Sequence, residues 1–126
     1  RLDGAYAWRS LKASGAHLAF GSDTPVESPD PFAGLAAAIT REDAKGEPFG
    51  GWQPQERVSR EEALAGFTTG AAYASFAEGK VGRLAPGLWA DFILVDRDPM
   101  FATPSELRTT KVLETWVAGR KVYTRP

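Results

Sequence analysis

Apolar residues in the first twenty positions follow two different spacings. Residues 5–14 carry apolar groups close to helical spacing, and Gly15 then provides a helix stop. Residues 16–20 form a short apolar run between glycines, which predicts a buried strand of a parallel sheet. This order of helix, glycine, strand and polar turn indicates an α/β fold.

A second helix is predicted to begin at Pro31. The residues before it are rich in proline and form an irregular loop, with Asp30 as the N-cap and the proline at the first helical position. Its apolar stripe has the spacing i, i+3, i+4, i+7 and consists of Phe32, Leu35, Ala36 and Ile39. Residues 44–57 are rich in glycine, proline and charge, which predicts an exposed excursion.

A third helix is predicted from a capping box formed by Ser59 and Glu62. Its inward face is expected to carry three apolar residues, Ala63, Leu64 and Phe67. A run of small residues at 70–74 follows, and small side chains of this kind favour close packing of the helix against its neighbours.

The last third of the chain changes to β-type patterns. Pro86 and Gly87 have the chemistry of a type II turn, and short apolar runs predict strands at residues 92–95, 112–117 and 121–124. The last two strands are joined tightly at Ala118 and Gly119, and a brief helical turn is expected at residues 103–106. We therefore predict an α/β part, residues 1–78, followed by a β-rich part, residues 79–126.

Composition and charge exclude several classes of function. The 126 residues carry 15 basic and 16 acidic groups without a basic stripe, which argues against a nucleic-acid partner. The apolar runs are much shorter than the ~20 residues that a membrane-spanning helix needs, so we expect a soluble protein, with the cytoplasm favoured. The chain has no cysteine, which excludes disulfides and thiolate metal sites.

The first residue of the chain indicates a fragment. The sequence begins at Arg1, and its single methionine is Met100. We therefore expect that a longer N-terminal part belongs to the same protein.

Asp23 is the strongest candidate for a catalytic residue. It lies directly after the predicted strand, at the end where α/β sheets and barrels place their active sites. A carboxylate there can bind a divalent metal or transfer a proton, although aspartate is also common in turns for local reasons. A serine hydrolase is excluded, because Ser22 is not in a G-x-S-x-G elbow and the only histidine precedes it.

Four stretches of the chain resemble the amidohydrolase superfamily, specifically its amidohydrolase-3 (YtcJ-like) group. They are WRSLKASGAHLAFGSDTPVESPDPFAGLAAAITR, SREEALAGFTTGAAYASF, VGRLAPGLWADFILVDRDP and VLETWVAGRKVYT, in the order and spacing typical of that group. The resemblance implies the C-terminal part of a (β/α)8 metal-dependent hydrolase barrel followed by the C-terminal strands of a small β-sandwich domain. Residues 16–20 would be the eighth barrel strand.

The resemblance also implies a chemistry and its limits. Asp23 would be a metal ligand and the general base and acid for water attacking an amide-like C–N bond of a small-molecule substrate. The metal would be divalent, with zinc favoured, in the complete enzyme. The family's His-x-His pair is missing, and His17 matches no ligand position of the motif. We therefore expect the isolated chain to bind no catalytic metal and to be inactive without its N-terminal barrel portion.

Two further residues match motifs of the group. Arg41 corresponds to the arginine of its A-V-T-R pattern and is a candidate ligand of a substrate carboxylate, although an arginine at a helix end also complements the helix dipole. Asp91 is expected to form a backbone turn at the start of its strand.

The alternative to an enzyme part is a non-catalytic α/β association module. An enzyme part should expose the apolar faces of residues 16–20 and of the Phe32–Ile39 helix, whereas a self-sufficient module should bury both. Homo-oligomerisation is possible in either case, because unpaired strand edges favour association.

Overall fold

The structure is a computed structural model that describes Leu2 and residues 4–126. Helices occupy the first part of the described chain and a small sheet occupies the last part. In chain order the elements are α1 (Trp8–Ala13), α2 (Pro31–Thr40), a 3-10 turn (Pro54–Glu56), α3 (Arg60–Ala65), a π-helical segment (Gly66–Gly70), α4 (Ala71–Ala74), β1 (Phe92–Val95), α5 (Pro104–Arg108), β2 (Val112–Val117) and β3 (Arg120–Thr124).

Helix α2 begins and faces inward as its sequence predicts. The Asp30 carboxylate accepts a hydrogen bond from the Phe32 N–H at 2.9 Å, and Pro31 occupies the first helical position. Phe32, Leu35 and Ala36 are buried, while Ile39 is partly buried against the same core. The helix is therefore held by a local cap at one end and by an apolar face along its length.

Helix α3 begins with the predicted capping box. The Glu62 N–H donates to the Ser59 hydroxyl at 3.1 Å, and the Ser59 N–H donates to the Glu62 carboxylate at 2.8 Å. Ala63 is fully buried, and Leu64 and Phe67 pack partly buried against the core. The prediction of a capped helix with this inward face is confirmed.

The predicted strand at residues 16–20 is absent from the described structure. These residues lie outside every strand and are exposed or half-buried. A strand needs a neighbouring strand to complete its ladder of hydrogen bonds, and the Phe20 N–H instead donates to the Gly66 carbonyl at 2.9 Å. The prediction of a buried strand here is wrong for this structure, because an apolar run does not show whether neighbouring strands are present.

The C-terminal sheet agrees with the predicted strands. Its order is β1-β2-β3 with both pairs antiparallel, and the β1–β2 register places Phe92 opposite Trp116, whose rings stack 5.4 Å apart. The predicted type II turn is also present, because Leu88 N–H donates to the carbonyl of Ala85 and Gly87 has a φ of +89°.

Asp91 has a structural role different from the predicted one. Its carboxylate accepts a hydrogen bond from the Ala118 N–H at 2.7 Å, in the turn between β2 and β3. The neighbouring Ala90 carbonyl accepts from the Gly119 N–H at 3.0 Å. Asp91 therefore stabilises a turn 27 residues away from it rather than one at the start of its own strand.

One apolar core crosses the predicted boundary at residue 79. Helices α2 and α3 supply most of it, and α5 contributes Leu107, which is 2% exposed. Arg60 on α3 also donates to the carbonyl of Pro99 at 2.7 Å. The two parts of the chain thus pack as a unit around α2, and the division into domains at 78/79 stays a prediction.

The residues that the structure describes leave one face of the sheet open. Ile93, Thr115 and Tyr123 lie side by side across the three strands, and Val117 is on the same side as Thr115. Ile93, Val117 and Tyr123 are each 42–44% exposed. An apolar sheet face of this kind is suited to cover by another protein segment.

Within the part of the chain that the structure describes, none of the helices combines the length and the apolar character needed to cross a membrane.

Candidate functional site

Asp23 lies at the start of the loop that connects residues 16–20 to helix α2. Its backbone has a φ of +60°, and its carbonyl accepts hydrogen bonds from the N–H groups of Val26 at 2.8 Å and Glu27 at 3.3 Å. The hydroxyls of Ser22 and Thr24, on either side, lie 3.0 Å apart. Aspartate tolerates the left-handed conformation better than most residues, and such conformations are frequent at functional sites.

Asp23 lines an open cavity of about 630 Å³ along one side of α2. Three small residues of α2 line the cavity, Ala33, Gly34 and Ala37. Its far wall is an ion pair in which the guanidinium of Arg108 donates to the Glu42 carboxylate at 3.1 Å. The cavity therefore brings the Asp23 loop together with helix α5 of the C-terminal part.

The carboxylates around this cavity differ in how they are bound. Asp30 caps α2, and Asp43 accepts hydrogen bonds from the backbone N–H groups of Lys45 and Glu47, at 2.7 and 3.0 Å. Those backbone bonds, that from Glu47 first, hold the pKa of Asp43 below its usual range. Among the residues that the structure describes, none donates a hydrogen bond to the Asp23 carboxylate. No group of the described residues therefore competes with an external group for the Asp23 carboxylate.

The donors around Asp23 do not amount to a metal site by themselves. Among the described residues, no three histidine, cysteine, aspartate or glutamate side chains are close enough together to hold a metal ion. A catalytic zinc site takes three protein ligands in the usual case. The described residues therefore do not fit a complete catalytic metal centre, and Asp23 could supply one ligand of a larger set.

His17 occupies a position that agrees with a packing role. Its ring stacks on the Tyr73 ring of α4, with centroids 4.4 Å apart and planes 18° apart. It does not line the cavity that contains Asp23. The sequence-based interpretation of His17 as a packing or surface histidine is consistent with this contact.

Arg41, the second predicted site residue, is held by its own chain. It is 7% exposed and ends α2 with a φ of +65°. Its side chain donates to the carbonyls of Trp52 at 3.1 Å and Tyr6 at 2.9 Å, and the guanidinium carbon lies 4.3 Å from the centre of the Trp8 ring and 5.1 Å from that of Trp52. Arg41 does not line the Asp23 cavity. Its role as a ligand of a substrate carboxylate stays a prediction.

Burial and a nearby charge shift the pKa of Arg41 in opposite directions. Desolvation lowers the pKa of its guanidinium, and the negative charge of Glu56 raises it. One nitrogen, Nη2, is buried and has no hydrogen-bond acceptor in the described structure. The arginine thus sits between two indole rings as a desolvated cation with one unused donor.

Glu56 is a buried charged residue that the sequence did not indicate. It lies in the segment predicted to be an exposed excursion but is 6% exposed. Its carboxylate accepts from both the backbone N–H and the hydroxyl of Ser10, at 2.9 and 2.5 Å. For Glu56 the expected exposure is wrong, because a partner 46 residues away leaves no local signal in the sequence.

The fold of this chain is similar to part of solved metal-dependent hydrolases. A solved metal-dependent hydrolase of Pyrococcus furiosus, itself uncharacterized, superposes with a TM-score of 0.64 at 38% identity, over 79% of this chain and 19% of that one. The model of the amidohydrolase family matches residues 1–123. The chain therefore belongs to the amidohydrolase family, which confirms the resemblance to the amidohydrolase-3 group.

Two curated relatives give the same result. The amidohydrolase named YtcJ of Bacillus subtilis is 31% identical over 98% of this chain and 23% of its own length. The N-substituted formamide deformylase of Arthrobacter pascens is 33% identical over 93% of this chain and 21% of its own length. The chain thus spans about a fifth of the length of these relatives.

Proposed function

We propose that this chain is the C-terminal part of a metal-dependent amidohydrolase that hydrolyses C–N bonds of small amide-like molecules. The observation that carries the proposal is the position of Asp23. Asp23 lines the cavity beside α2 and has a left-handed backbone conformation. No described residue donates a hydrogen bond to its carboxylate. Family membership supports a hydrolytic reaction, and the formamide deformylase among the relatives is named for a C–N substrate.

In this proposal Asp23 performs acid–base chemistry. Its carboxylate would accept a proton from the attacking water and then donate it to the nitrogen that leaves. A general base must lie within hydrogen-bonding distance of the proton that it removes, and an unengaged carboxylate at the edge of an open cavity can approach a bound substrate in this way.

The metal belongs to the whole protein in this proposal. Asp23 would provide one ligand of a divalent ion, with zinc favoured. Such an ion lowers the pKa of its bound water to about 7, so that hydroxide is available near neutral pH. Since the described residues provide no complete set of ligands, we propose that the chain alone is inactive. The remaining ligands would come from the N-terminal barrel portion.

The apolar segment before Asp23 supports the same arrangement. Residues 16–20 lie exposed or half-buried, with no neighbouring strand among the described residues. In the whole protein we propose that they form the last strand of a (β/α)8 barrel. The open face of the β1-β2-β3 sheet would be covered by other strands of a small β-sandwich domain.

The proposal is tested by Asp23→Asn in the whole protein. We expect kcat/KM to fall by at least about a hundredfold, since the amide can neither accept the proton nor carry the charge. Turnover of a panel of amides that begins with N-substituted formamides provides the measurement, with circular dichroism and the melting temperature as checks of the fold.

Asp30→Asn is the matched control for this experiment. Asp30 lines the same cavity, and asparagine is as good an N-cap as aspartate, so kcat/KM should stay within about twofold of the parent value. An Asp23→Asn protein that folds normally and retains most of its turnover would contradict the catalytic assignment.

The second candidate is a non-catalytic association module, and the exposed sheet face is the observation that favours it. The two surfaces expected to separate the candidates give different answers. Residues 16–20 are largely exposed, as expected for an enzyme part, whereas α2 buries its apolar face against α3 and α5. The burial of the α2 face does not argue against an enzyme part, because the helices that cover it, α3 and α5, belong to this same chain.

A further inference from the structure

Arg41 joins two segments of the chain that are far apart in sequence. Its Nη1 donates to the carbonyl of Tyr6, 35 positions earlier, and its Nε donates to the carbonyl of Trp52, 11 positions later. The rings of Trp8 and Trp52 both lie within contact distance of the guanidinium. Two directional hydrogen bonds and two aromatic contacts on a buried, planar cation form a rigid junction, because few other orientations satisfy all of them.

Through its bond to Tyr6, Arg41 joins the segment before α1 to the end of α2, and these two parts of the chain flank the Asp23 loop. Tyr6 and Trp8 precede or begin α1, from which residues 16–20 continue directly to Asp23. Helix α2 leaves the loop at Pro31 and ends at Thr40, with Arg41 as its C-cap. Asp23 thus lies near the middle of a chain loop whose two ends are closed by one guanidinium.

Glu56 supports the same junction from the other side. Its carboxylate accepts hydrogen bonds from the N–H and hydroxyl of Ser10, in the first turn of α1, and its negative charge raises the pKa of Arg41. Since α1 has no side-chain cap of its own at Ala7, this long-range contact takes the place of a local cap. The beginning of α1 is therefore fixed to the segment after α2 at two points.

We propose that Arg41 is a positioning residue, whose closure of the chain around Asp23 holds the Asp23 loop at a fixed place relative to α1 and α2. The inference rests on the proposed function of Asp23. Arg41 acts at a distance in this arrangement, through the ends of the two helices, and it does not touch the reacting atoms. A displacement of about 1 Å at a catalytic group is enough to lower a rate severely, so a junction of this kind matters for turnover.

Hydrogen exchange on the 126-residue chain tests the junction without any assay of activity. The reporters are the N–H groups of Val26 and Phe32, which are hydrogen-bonded to Asp23 and Asp30 in the loop. We expect Arg41→Met and Arg41→Lys to accelerate exchange at both amides by about tenfold, since lysine keeps the charge but not the planar fork. Unchanged exchange at these two amides in both variants would overturn the proposal.

Arg57→Met is the matched control. Arg57 lies in the segment after α2 and also donates to two backbone carbonyls, those of Thr40 and Gly50. Among the described residues it makes no hydrogen bond to the segment before α1 and no cation–π contact with a tryptophan. Its substitution should leave exchange at Val26 and Phe32 unchanged. If Arg41→Met does not fold, exchange at the Val26 and Phe32 amides is measured in Arg41→Lys and Trp52→Leu instead. Faster exchange in both supports the junction, and unchanged exchange in both overturns it.

Kinetics in the whole protein separate positioning from substrate binding. For Arg41→Lys we expect kcat to fall about tenfold with KM within about twofold, equally for substrates with and without a carboxylate. A rise of KM confined to carboxylate-bearing substrates would instead make Arg41 a substrate ligand and overturn the positioning role. If Asp23→Asn retains turnover, the proposed function fails, and the exchange measurements still decide whether Arg41 holds the loop.

Discussion

At the scale of single residues, two buried charged side chains outside the Asp23 cavity fix segments on either side of the Asp23 loop. Arg41 and Glu56 are each less than a tenth exposed, and both bind partners more than thirty positions away. Burying such groups is costly unless they are hydrogen-bonded or paired, and both bind backbone or hydroxyl groups of other segments. Charged residues held in this way determine where the ends of α1 and α2 lie.

The contact between Glu56 and Ser10 predicts a pH-dependent stability. The hydrogen bond from the Ser10 hydroxyl, followed by that from its backbone N–H, lowers the pKa of Glu56 below its usual range. A carboxylate with a depressed folded-state pKa adds stability above its unfolded pKa, and that stability is lost as the pH falls through the folded value. Glu56→Gln should therefore lower the melting temperature at pH 7, and the difference from the parent should shrink below about pH 4.

Thermal unfolding at a series of pH values measures this effect. Glu47→Gln provides the control, since Glu47 is an exposed residue of the same loop. A difference for Glu56→Gln that stays constant down to pH 3 would contradict an origin in the charged carboxylate.

At the scale of elements, two glycines allow a helix to pack against a segment that has no strand partner. A Cβ atom at Gly70 would overlap the carbonyl of Leu18, and one at Gly66 would lie 2.5 Å from the Phe20 ring. The π-helical segment between them therefore approaches residues 18–20 more closely than side chains would allow. The Phe20 N–H also donates to the Gly66 carbonyl, so this contact contributes to fixing the chain immediately before Asp23.

Gly70→Ala is expected to destabilise the chain by about 1–3 kcal/mol, because the added methyl group meets backbone that cannot easily move. Alanine normally stabilises a helix relative to glycine by about 1 kcal/mol, so the sign of the effect is informative. Urea denaturation measures the free energy of unfolding. A stabilising Gly70→Ala would mean that the close approach is absent.

Gly79→Ala is the control for this substitution. No atom beyond its chain neighbours lies within 4 Å of the position that the added methyl group would take. The change should therefore alter the free energy of unfolding by less than about 0.5 kcal/mol.

At the scale of the whole molecule, a shared core coexists with uncovered apolar surface. Helices α2, α3 and α5 bury a common core, while Ile93, Val117 and Tyr123 leave a sheet face open. The strand edges of β1 and β3 also lack a further strand in the described structure. Surfaces of this type associate with whatever apolar partner is present.

We therefore predict that the chain, prepared by itself, self-associates as its concentration rises. Light scattering coupled to gel filtration measures the mass, and Val117→Lys with Tyr123→Lys should shift it toward the monomer by placing charge on the open face. Leu84→Lys is the control for a general gain in solubility, because Leu84 is 66% exposed and lies outside the sheet. A monomeric mass at high concentration would count against association through this face.

Local interactions explain what could be predicted from the sequence. The caps at Asp30 and Ser59 and the turn at Gly87 each depend on residues within about three positions of one another, and the apolar stripe of α2 repeats at the period of the helix. The cap and turn hydrogen bonds and the helical periodicity are short-range, so they are visible in the order of residues. The assignment to the amidohydrolase family and the choice of Asp23 as candidate also came from the sequence.

Only the tertiary structure decided the contacts that close over long stretches of chain. The strand expected at residues 16–20 has no strand partner among the described residues, Asp91 stabilises the turn at Ala118, and Arg41 and Glu56 bind partners 35 and 46 positions away. An isolated apolar run or charged residue carries no signal of a distant partner, because that partner is chosen by how α1, α2 and their connections pack. The physical reason is that hydrogen bonds and apolar contacts depend on proximity in space, which sequence distance does not determine.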